Sequence, residues 1–237
     1  MCDDAIVIVD GARTPMGGLQ GVLSPMTAPE LGTVAIKEAL SRANIDAGDI
    51  EEVIMGCVLQ AGAKQGPARQ AAIKAGIPPS TGAVTINKLC GSGMQAVIYA
   101  HDQIKAGSCD IAIAGGMESM SNAPHVLPNA RGGVGTGDKT IHDHMFLDGL
   151  QDAYTGRAMG TFAQETADKA GLTREQMDAY ALESLRRAKD AIDNGYLSAE
   201  TAPVTVTTRH SETVVTDDEQ PHKAKVDKIP NLSLIHI

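Results

Sequence analysis

Short apolar runs and longer amphipathic segments alternate along the first 116 residues. The runs have the length and apolar content of buried strands, and the segments between them repeat apolar residues at helical spacing. Strands that alternate with helices need crossover connections, so we expect an α/β fold with a mostly parallel sheet. The pattern predicts strands at 5–11, 51–59, 82–89 and 110–116, and helices that begin near Thr27 and cover 67–76 and 91–106.

The pattern changes near residue 117. Residues 117–160 are rich in Gly, Met, Asp and His and show weak periodicity, which is typical of loops and short elements. Two helices with capping boxes are predicted next, followed by two short strands. The capping boxes are Thr161–Gln164 and Thr173–Gln176, and the strands are at 202–208 and 212–217. We divide the chain into an α/β region at 1–117, an inserted loop domain at 118–232 and a tail at 233–237.

Composition is that of a globular protein. The 237 residues are 43% hydrophobic and 21% charged, and they are enough to bury a sizeable core. The formal net charge of −9 argues against a nucleic-acid partner, because such binding depends on many Lys and Arg contacts to phosphate. No apolar run is long enough to span a bilayer and the first residues contain no basic leader, so we expect a cytoplasmic protein with no membrane partner.

The four cysteines form no CxxC pair and show no zinc-like spacing with histidine. A disulfide framework is not expected in a chain of this size and compartment. We interpret Cys2, Cys57 and Cys109 as incidental or core residues.

Cys90 differs from them because glycines follow it, in the stretch NKLCGSGMQA at 87–96. It comes after a predicted strand and before a predicted helix, and the N-terminus of a helix stabilises a thiolate. Gly91 and Gly93 permit a sharp turn and leave the sulfur accessible, and N–H groups of the turn are candidate donors to an oxyanion. Two interpretations stay open at this point: a nucleophile presented by its turn, or a small buried residue beside a turn.

Other motifs favour structural interpretations. The glycine-rich stretch at 131–140 has no preceding strand and no Gly-Lys pair, which argues against a phosphate-binding loop. His142 and His144 have no obvious third ligand, so no metal site is predicted. Ser92 is expected to cap backbone N–H groups, and Glu118 is expected to hold a loop through hydrogen bonds.

Four motifs together resemble the thiolase family, specifically the acetyl-CoA acetyltransferases. They are GARTPMGG at 11–18, GPARQAA at 66–72, NKLCGSGMQA at 87–96 and AIAGGMESMSNAPH at 112–125. The resemblance extends over nearly the whole chain. It implies a layered αβαβα fold of two similar α/β halves, of which this chain holds the N-terminal half with the inserted loop domain.

The resemblance also implies a function, that of an acyl-CoA C-acyltransferase. Cys90 is then the nucleophile that carries the acyl group as a thioester, and acetyl-CoA and a second acyl-CoA reversibly give a 3-oxoacyl-CoA and CoA. No cofactor is held permanently, and coenzyme A or acyl-CoA is the substrate. By the same resemblance, Leu150 and Met159 line the pantetheine channel, and His222 and Lys223 lie near the adenine and phosphates.

Two positions depart from the family pattern. Biosynthetic members have a histidine just before the position of Met159, where this chain has Ala158. A family arginine falls where His222 stands. CoA binding is still expected, whereas the acyl chain length is not specified. The stretch at 131–140 matches a loop that the family uses for tetramer contacts, so a homo-oligomer, either a dimer or a tetramer, is implied.

Two functions other than acyl-CoA acyl transfer are found among proteins of the same superfamily. A 3-oxoacyl synthase shares the fold and an active cysteine, but the segments GGMESMS and ARTPMGG favour a thiolase. A lipid-binding or scaffold protein of the same superfamily would lack catalysis, and the presence of Cys90 within LCGSG argues against it.

The end of the chain departs from the family. The family's base histidine, second cysteine and oxyanion asparagine come from GHP-, CxGGG- and NEAF-type motifs, none of which occurs in this sequence. The final LSLIHI can be translated from a transposase adapter used in sequencing libraries, so we interpret 233–237 as a non-native tail on a truncated chain. With the C-terminal half absent, we expect the chain alone to be poorly soluble and inactive.

Overall fold

A three-stranded parallel sheet lies at the centre of the first half of the molecule. The computed structural model describes residues 5–232. The strand order is β2-β1-β3, and Ile54 of the central strand is in register with Val84 on one side and Ala114 on the other. The bounds are β1 Glu52–Gly56, β2 Gly82–Ile86 and β3 Ala112–Gly116 for the strands, and α1 Ala28–Ala43, α2 Pro67–Ala75 and α3 Ser92–Lys105 for the helices.

The two faces of the sheet receive different helices. Val53 and Met55 of β1 pack with α1 and α2 in the larger core cluster, whereas Ile54 packs against Ala96 and Ala100 of α3. Successive side chains of a strand point to opposite faces, so β1 is buried on both sides. The outer surface of α3 stays open, since Met94 is 74% exposed.

The second half consists of shorter elements. Two pairs of antiparallel strands and three helices lie between residues 125 and 223, with turns of other helical types around them. The bounds are β4 His125–Val126, β5 His142–Asp143, α4 Met159–Lys169, α5 Arg174–Asp193, β6 Val204–Thr207, β7 Glu212–Val215 and α6 Glu219–Lys223. No helix within residues 5–232 is both long and apolar enough to cross a membrane.

Most of the predicted elements are confirmed. The α/β class and the parallel sheet are present, and the helix predicted near Thr27 begins there with the Glu30 carboxylate accepting from the Thr27 backbone N–H. The capping box of α5 is also confirmed, since the Gln176 N–H donates to the Thr173 hydroxyl at 3.3 Å.

Two predictions are wrong. Residues 5–11 form no strand in the described structure, and Ile8 is 82% exposed. An apolar run forms a strand only where a neighbouring strand is available, and none pairs with it among residues 5–232. The capping box predicted for Thr161 and Gln164 does not form. The helix α4 begins earlier, at Met159 with Ala158 as its N-cap, so Thr161 lies inside the helix and its hydroxyl donates to the Ala158 carbonyl.

The start of α3 packs tightly against the end of β1. A Cβ atom added to Gly56 would lie 2.6 Å from the Ser92 Cβ and 2.8 Å from the Gly93 backbone nitrogen. Glycine at position 56 therefore lets the helix approach the carboxyl edge of the sheet.

Gly56→Ala should lower the free energy of unfolding by about 1–3 kcal/mol, because the new methyl group has no room and the helix must shift. Urea denaturation measures this change. The matched control is Gly48→Ala, where the added Cβ meets nothing within 4 Å. A Gly56→Ala variant within about 0.5 kcal/mol of the original chain would show that the contact is not restrictive.

Candidate active site

Cys90 lies on a turn between β2 and α3, at the carboxyl edge of the parallel sheet. Ligands of open α/β sheets collect at this edge. Gly91 is the N-cap of α3, so the thiol precedes the first helical residue, Ser92, by two positions. Cys90 is exposed, and Leu89 before it has a φ angle of 50°. The turn therefore presents the thiol at the surface beside a helix N-terminus.

Two glycines, Gly91 and Gly93, follow Cys90 at the start of α3. Gly91 has a φ angle of −89°, which other residues adopt readily, and an added Cβ would meet no atom closer than 3.5 Å. Packing within the chain therefore does not require glycine at position 91. At Gly93 the nearest atom would be the Gly116 nitrogen at 3.6 Å, which is ordinary contact. Packing within the chain requires glycine at neither position, so the interpretation in which another molecule approaches the sulfur rests on the exposure of Cys90.

The backbone donors of the turn are partly engaged. The Gly91 N–H donates to the Lys88 carbonyl at 3.1 Å, and the Ser92 N–H donates to the Leu89 carbonyl at 3.0 Å. An oxyanion would compete with the first of these bonds. The oxyanion roles of Gly91 and Gly93 stay predictions.

The other described cysteines are buried. Burial, followed by the nearby Glu118 carboxylate, raises the pKa of the Cys57 thiol to about 12, and burial also raises the pKa of Cys109. Both thiols stay protonated at neutral pH and make poor nucleophiles. Cys90 is the exposed thiol among the three that lie within residues 5–232, and Cys2 lies outside that range.

The structural role predicted for Glu118 is confirmed, whereas the prediction that Ser92 caps its helix is wrong. Glu118 accepts hydrogen bonds from the N–H groups of Val58 at 2.8 Å and Leu59 at 3.2 Å, so it holds the loop after β1. Ser92 is buried and its hydroxyl is engaged with backbone groups of the turn at Lys88 and Leu89, not with N–H groups of its own helix.

The two histidines of the HDH stretch have unlike environments. His142 is exposed, whereas His144 is buried with both ring nitrogens engaged. Nε2 of His144 accepts from the Ala61 N–H at 3.3 Å, and Nδ1 lies 2.6 Å from the Asp148 carboxylate. Within residues 5–232, no group of three or more His, Cys, Asp and Glu side chains is arranged to hold a metal ion.

The residues predicted to contact CoA form two separate pairs. An isolated antiparallel bridge joins Gln151 to Ala158, which are the chain neighbours of Leu150 and Met159. His222 and Lys223 are exposed neighbours on α6. The Lys223 ammonium donates to the Glu219 carboxylate, so a phosphate would compete for it.

Asp218 receives donors from the start of the chain. The Arg13 guanidinium donates to both of its carboxylate oxygens, at 2.7 and 3.0 Å, and the Met16 N–H donates at 2.8 Å. Burial opposes the charge, but Arg13 and Met16 outweigh it, and the pKa of Asp218 lies below its ordinary value. This carboxylate therefore fastens the GARTPMGG segment to the residues that precede α6.

Glu219 fastens the next part of the same segment. Its carboxylate accepts from the N–H groups of Gly18 at 2.8 Å and Val22 at 3.0 Å, and from Lys223. A Cβ added to Gly21 would lie 2.1 Å from a carboxylate oxygen of Glu219, so the glycine there makes room for the acid. Sequence reasoning missed Asp218 and Glu219, because their partners lie about 200 positions away.

Glu219 should make the stability of the chain depend on pH. The Lys223 ammonium and the Gly18 N–H lower its pKa from 4.5 to about 2 in the folded chain. The ionised carboxylate therefore stabilises the fold above about pH 4.5, and this stabilisation disappears as the pH falls towards 2.

Glu219→Gln should lower the urea midpoint near neutral pH, and the difference from the original chain should shrink in acid. Urea denaturation at several pH values measures it. Glu212→Gln, at an exposed position on β7, is the control and should have a small effect. A Glu219→Gln difference that stays constant down to about pH 3 would contradict the assignment.

Known proteins match this chain over nearly its whole length. A family model described as "Thiolase, N-terminal domain" matches residues 6–235. The acetyl-CoA acetyltransferase of Cupriavidus necator is 46% identical over 229 residues, which are 96% of this chain and 58% of that protein. Acetyl-CoA acetyltransferase A, mitochondrial, of Xenopus laevis is 42% identical over 231 residues, which are 97% of this chain and 54% of that protein.

A solved structure has the same fold. The Acat5 thiolase from Ascaris suum, crystallised in complex with coenzyme A, superposes with a TM-score of 0.88 at 39% identity. The match covers 95% of this chain and 57% of that one. This chain therefore spans a little more than half of the length of the relatives that it matches.

Proposed function

Because the chain belongs to the thiolase family, we propose that it supplies the nucleophile of an acyl-CoA C-acyltransferase. The single observation that carries the proposal is the exposed Cys90 thiol, which lies at the carboxyl edge of the sheet beside the N-terminus of α3. Relatives named acetyl-CoA acetyltransferase support acetyl-CoA as one substrate.

The chemistry assigned to Cys90 is acyl transfer through a thioester. Its sulfur bonds to the carbonyl carbon of an acyl-CoA, the bond from that carbon to the CoA sulfur breaks, and CoA leaves as a thiol. A second acyl-CoA, deprotonated at its α-carbon, then takes the acyl group and gives a 3-oxoacyl-CoA. Free CoA is the acceptor in the reverse direction. The base histidine and the second cysteine for these steps are expected from motifs that this sequence does not contain.

Coenzyme A is the proposed ligand of the second half. The Ascaris suum thiolase was crystallised with coenzyme A, which supports the same ligand here. Leu150 and Met159, which adjoin the bridged residues Gln151 and Ala158, are assigned to the pantetheine arm. His222 and Lys223 are assigned to the nucleotide end, where Lys223 would exchange its contact with Glu219 for a phosphate.

The relatives do not favour the alternatives of a 3-oxoacyl synthase or a lipid-binding or scaffold protein without catalysis, since they are named acetyl-CoA acetyltransferases. A homo-oligomer, dimer or tetramer, is proposed for the assembly, with the loop at 131–140 as a contact. The proposed compartment is the cytoplasm. A relative from Xenopus laevis is named mitochondrial, so the compartment differs within the family.

Incubation with acetyl-CoA should slowly place one acetyl group on Cys90, because the thiolate of an exposed cysteine can attack a thioester without the base histidine that catalytic turnover needs. Turnover to a 3-oxoacyl-CoA is not expected from the 237-residue chain. Peptide mass spectrometry locates the acetyl group, and chromatography measures the CoA released.

Cys90→Ala should abolish both signals, and Cys109→Ala, at a buried thiol, should preserve them. Acetyl groups spread evenly over Cys57, Cys90 and Cys109, or none on Cys90, would contradict the proposal.

A further inference from the structure

The residue immediately before Cys90 has an unfavourable backbone conformation. Leu89 has a φ angle of 50°, in the left-handed region where the Cβ atom of an L-residue crowds the following carbonyl oxygen. Leu89 is also half exposed, so packing of its side chain does not compensate. Such a conformation persists only where surrounding contacts hold it, and it occurs often beside functional groups.

Hydrogen bonds hold Leu89 on both sides. Its N–H donates to the Asn87 side-chain oxygen at 2.9 Å. Its carbonyl accepts from the Ser92 N–H at 3.0 Å and from the Ser92 hydroxyl at 2.6 Å. The same hydroxyl accepts from the Lys88 N–H at 2.8 Å. The Ser92 hydroxyl therefore bridges the N–H of the residue before Leu89 and the carbonyl of Leu89 itself, and this uses its donor and one acceptor site.

Ser92 also packs directly against the edge of the sheet. It is 4% exposed, and its Cβ lies where a side chain on Gly56 would collide with it. Gly56 ends the central strand β1, whose residues are paired on both sides. Because Ser92 packs on the sheet edge and its hydroxyl bonds to the turn, Ser92 fixes the turn that carries Cys90 relative to the sheet.

We propose that Ser92 is a positioning residue for Cys90. Its hydroxyl holds Leu89 in the left-handed conformation, and this conformation places the thiol at the start of α3. The inference rests on the proposed function, because it assigns a purpose to the position of a nucleophilic Cys90. Ser92 is not itself assigned a contact with substrate.

The consequence is measurable as thiol reactivity. The stabilisation of a thiolate by a helix N-terminus falls off within one turn, so a displaced Cys90 should react more slowly. Ser92→Ala removes the bridging hydroxyl and should reduce the rate of Cys90 alkylation by iodoacetamide at least about threefold. Ser108→Ala, at an exposed position after α3, is the control and should leave the rate unchanged.

A second variant separates positioning from general stability. Glycine adopts the left-handed region without steric crowding. Adding Leu89→Gly to Ser92→Ala should therefore restore most of the reactivity, although it makes the unfolded chain more flexible and should not restore stability. Leu89→Gly alone should react like the original chain. Should Ser92→Ala fail to fold, Asn87→Ala removes the other hydrogen bond that holds Leu89, at an exposed position, and should also lower the alkylation rate. An unchanged rate in that variant would show that the conformation of Leu89 does not set the position of the thiol, and would overturn the proposal.

The experiment measures the alkylation rate of Cys90 by peptide mass spectrometry, in the folded chain and in urea, from mildly acidic to basic pH. If Cys90 in the folded chain is alkylated no faster than in urea, the result contradicts the proposed function. An enhanced rate that Ser92→Ala leaves unchanged overturns the positioning role alone. A reduced rate that Leu89→Gly does not restore also overturns it, in favour of a general structural role.

Discussion

The contact between Gly56 and Ser92 determines where the turn that carries Cys90 can lie. Gly56 ends the central strand, and the absence of its side chain lets the first turn of α3 pack directly on the sheet edge. The Ser92 hydroxyl then reaches back to Lys88 and Leu89. The position of the thiol therefore depends on a backbone approach that begins on another strand.

A second constraint holds the opposite end of the chain in place. Asp218 and Glu219 accept hydrogen bonds from Arg13, Met16, Gly18 and Val22. These bonds join the GARTPMGG segment to the helix that carries His222 and Lys223. Two adjacent carboxylates thus order this glycine-rich segment, and Arg13 and Lys223 offset the cost of their desolvation.

Local signals in the sequence were sufficient for most elements. The capping box at Thr173 and the glycine after α2 specify helix ends through contacts between residues a few positions apart. The Cys90 turn could be predicted for the same reason, since strand, thiol and glycines are consecutive.

Features that depend on distant residues could not be predicted in this way. The run at 5–11 has strand composition, but a strand also needs a neighbour, which composition does not reveal. The partners of Asp218 and Glu219 were missed because nothing in the local sequence identifies them. Ser92 was expected to cap its own helix, whereas its hydroxyl bonds to the preceding turn. The left-handed φ angle of Leu89 brings the Leu89 carbonyl within reach of that hydroxyl, and the local sequence does not reveal this angle.

Cys57 and Cys90 show how the same sheet edge gives two thiols different chemistry. Both follow parallel strands, yet Cys57 is buried beside Glu118, and burial and the carboxylate raise its pKa to about 12. Cys90 does not follow its strand directly. It lies on a turn after the end of β2 at Ile86, and its thiol is exposed. An exposed thiol such as that of Cys90 is not held by the packing that buries Cys57. The Cys90 turn is held instead by hydrogen bonds between the Ser92 hydroxyl and backbone groups of Lys88 and Leu89, and these bonds do not involve the sulfur.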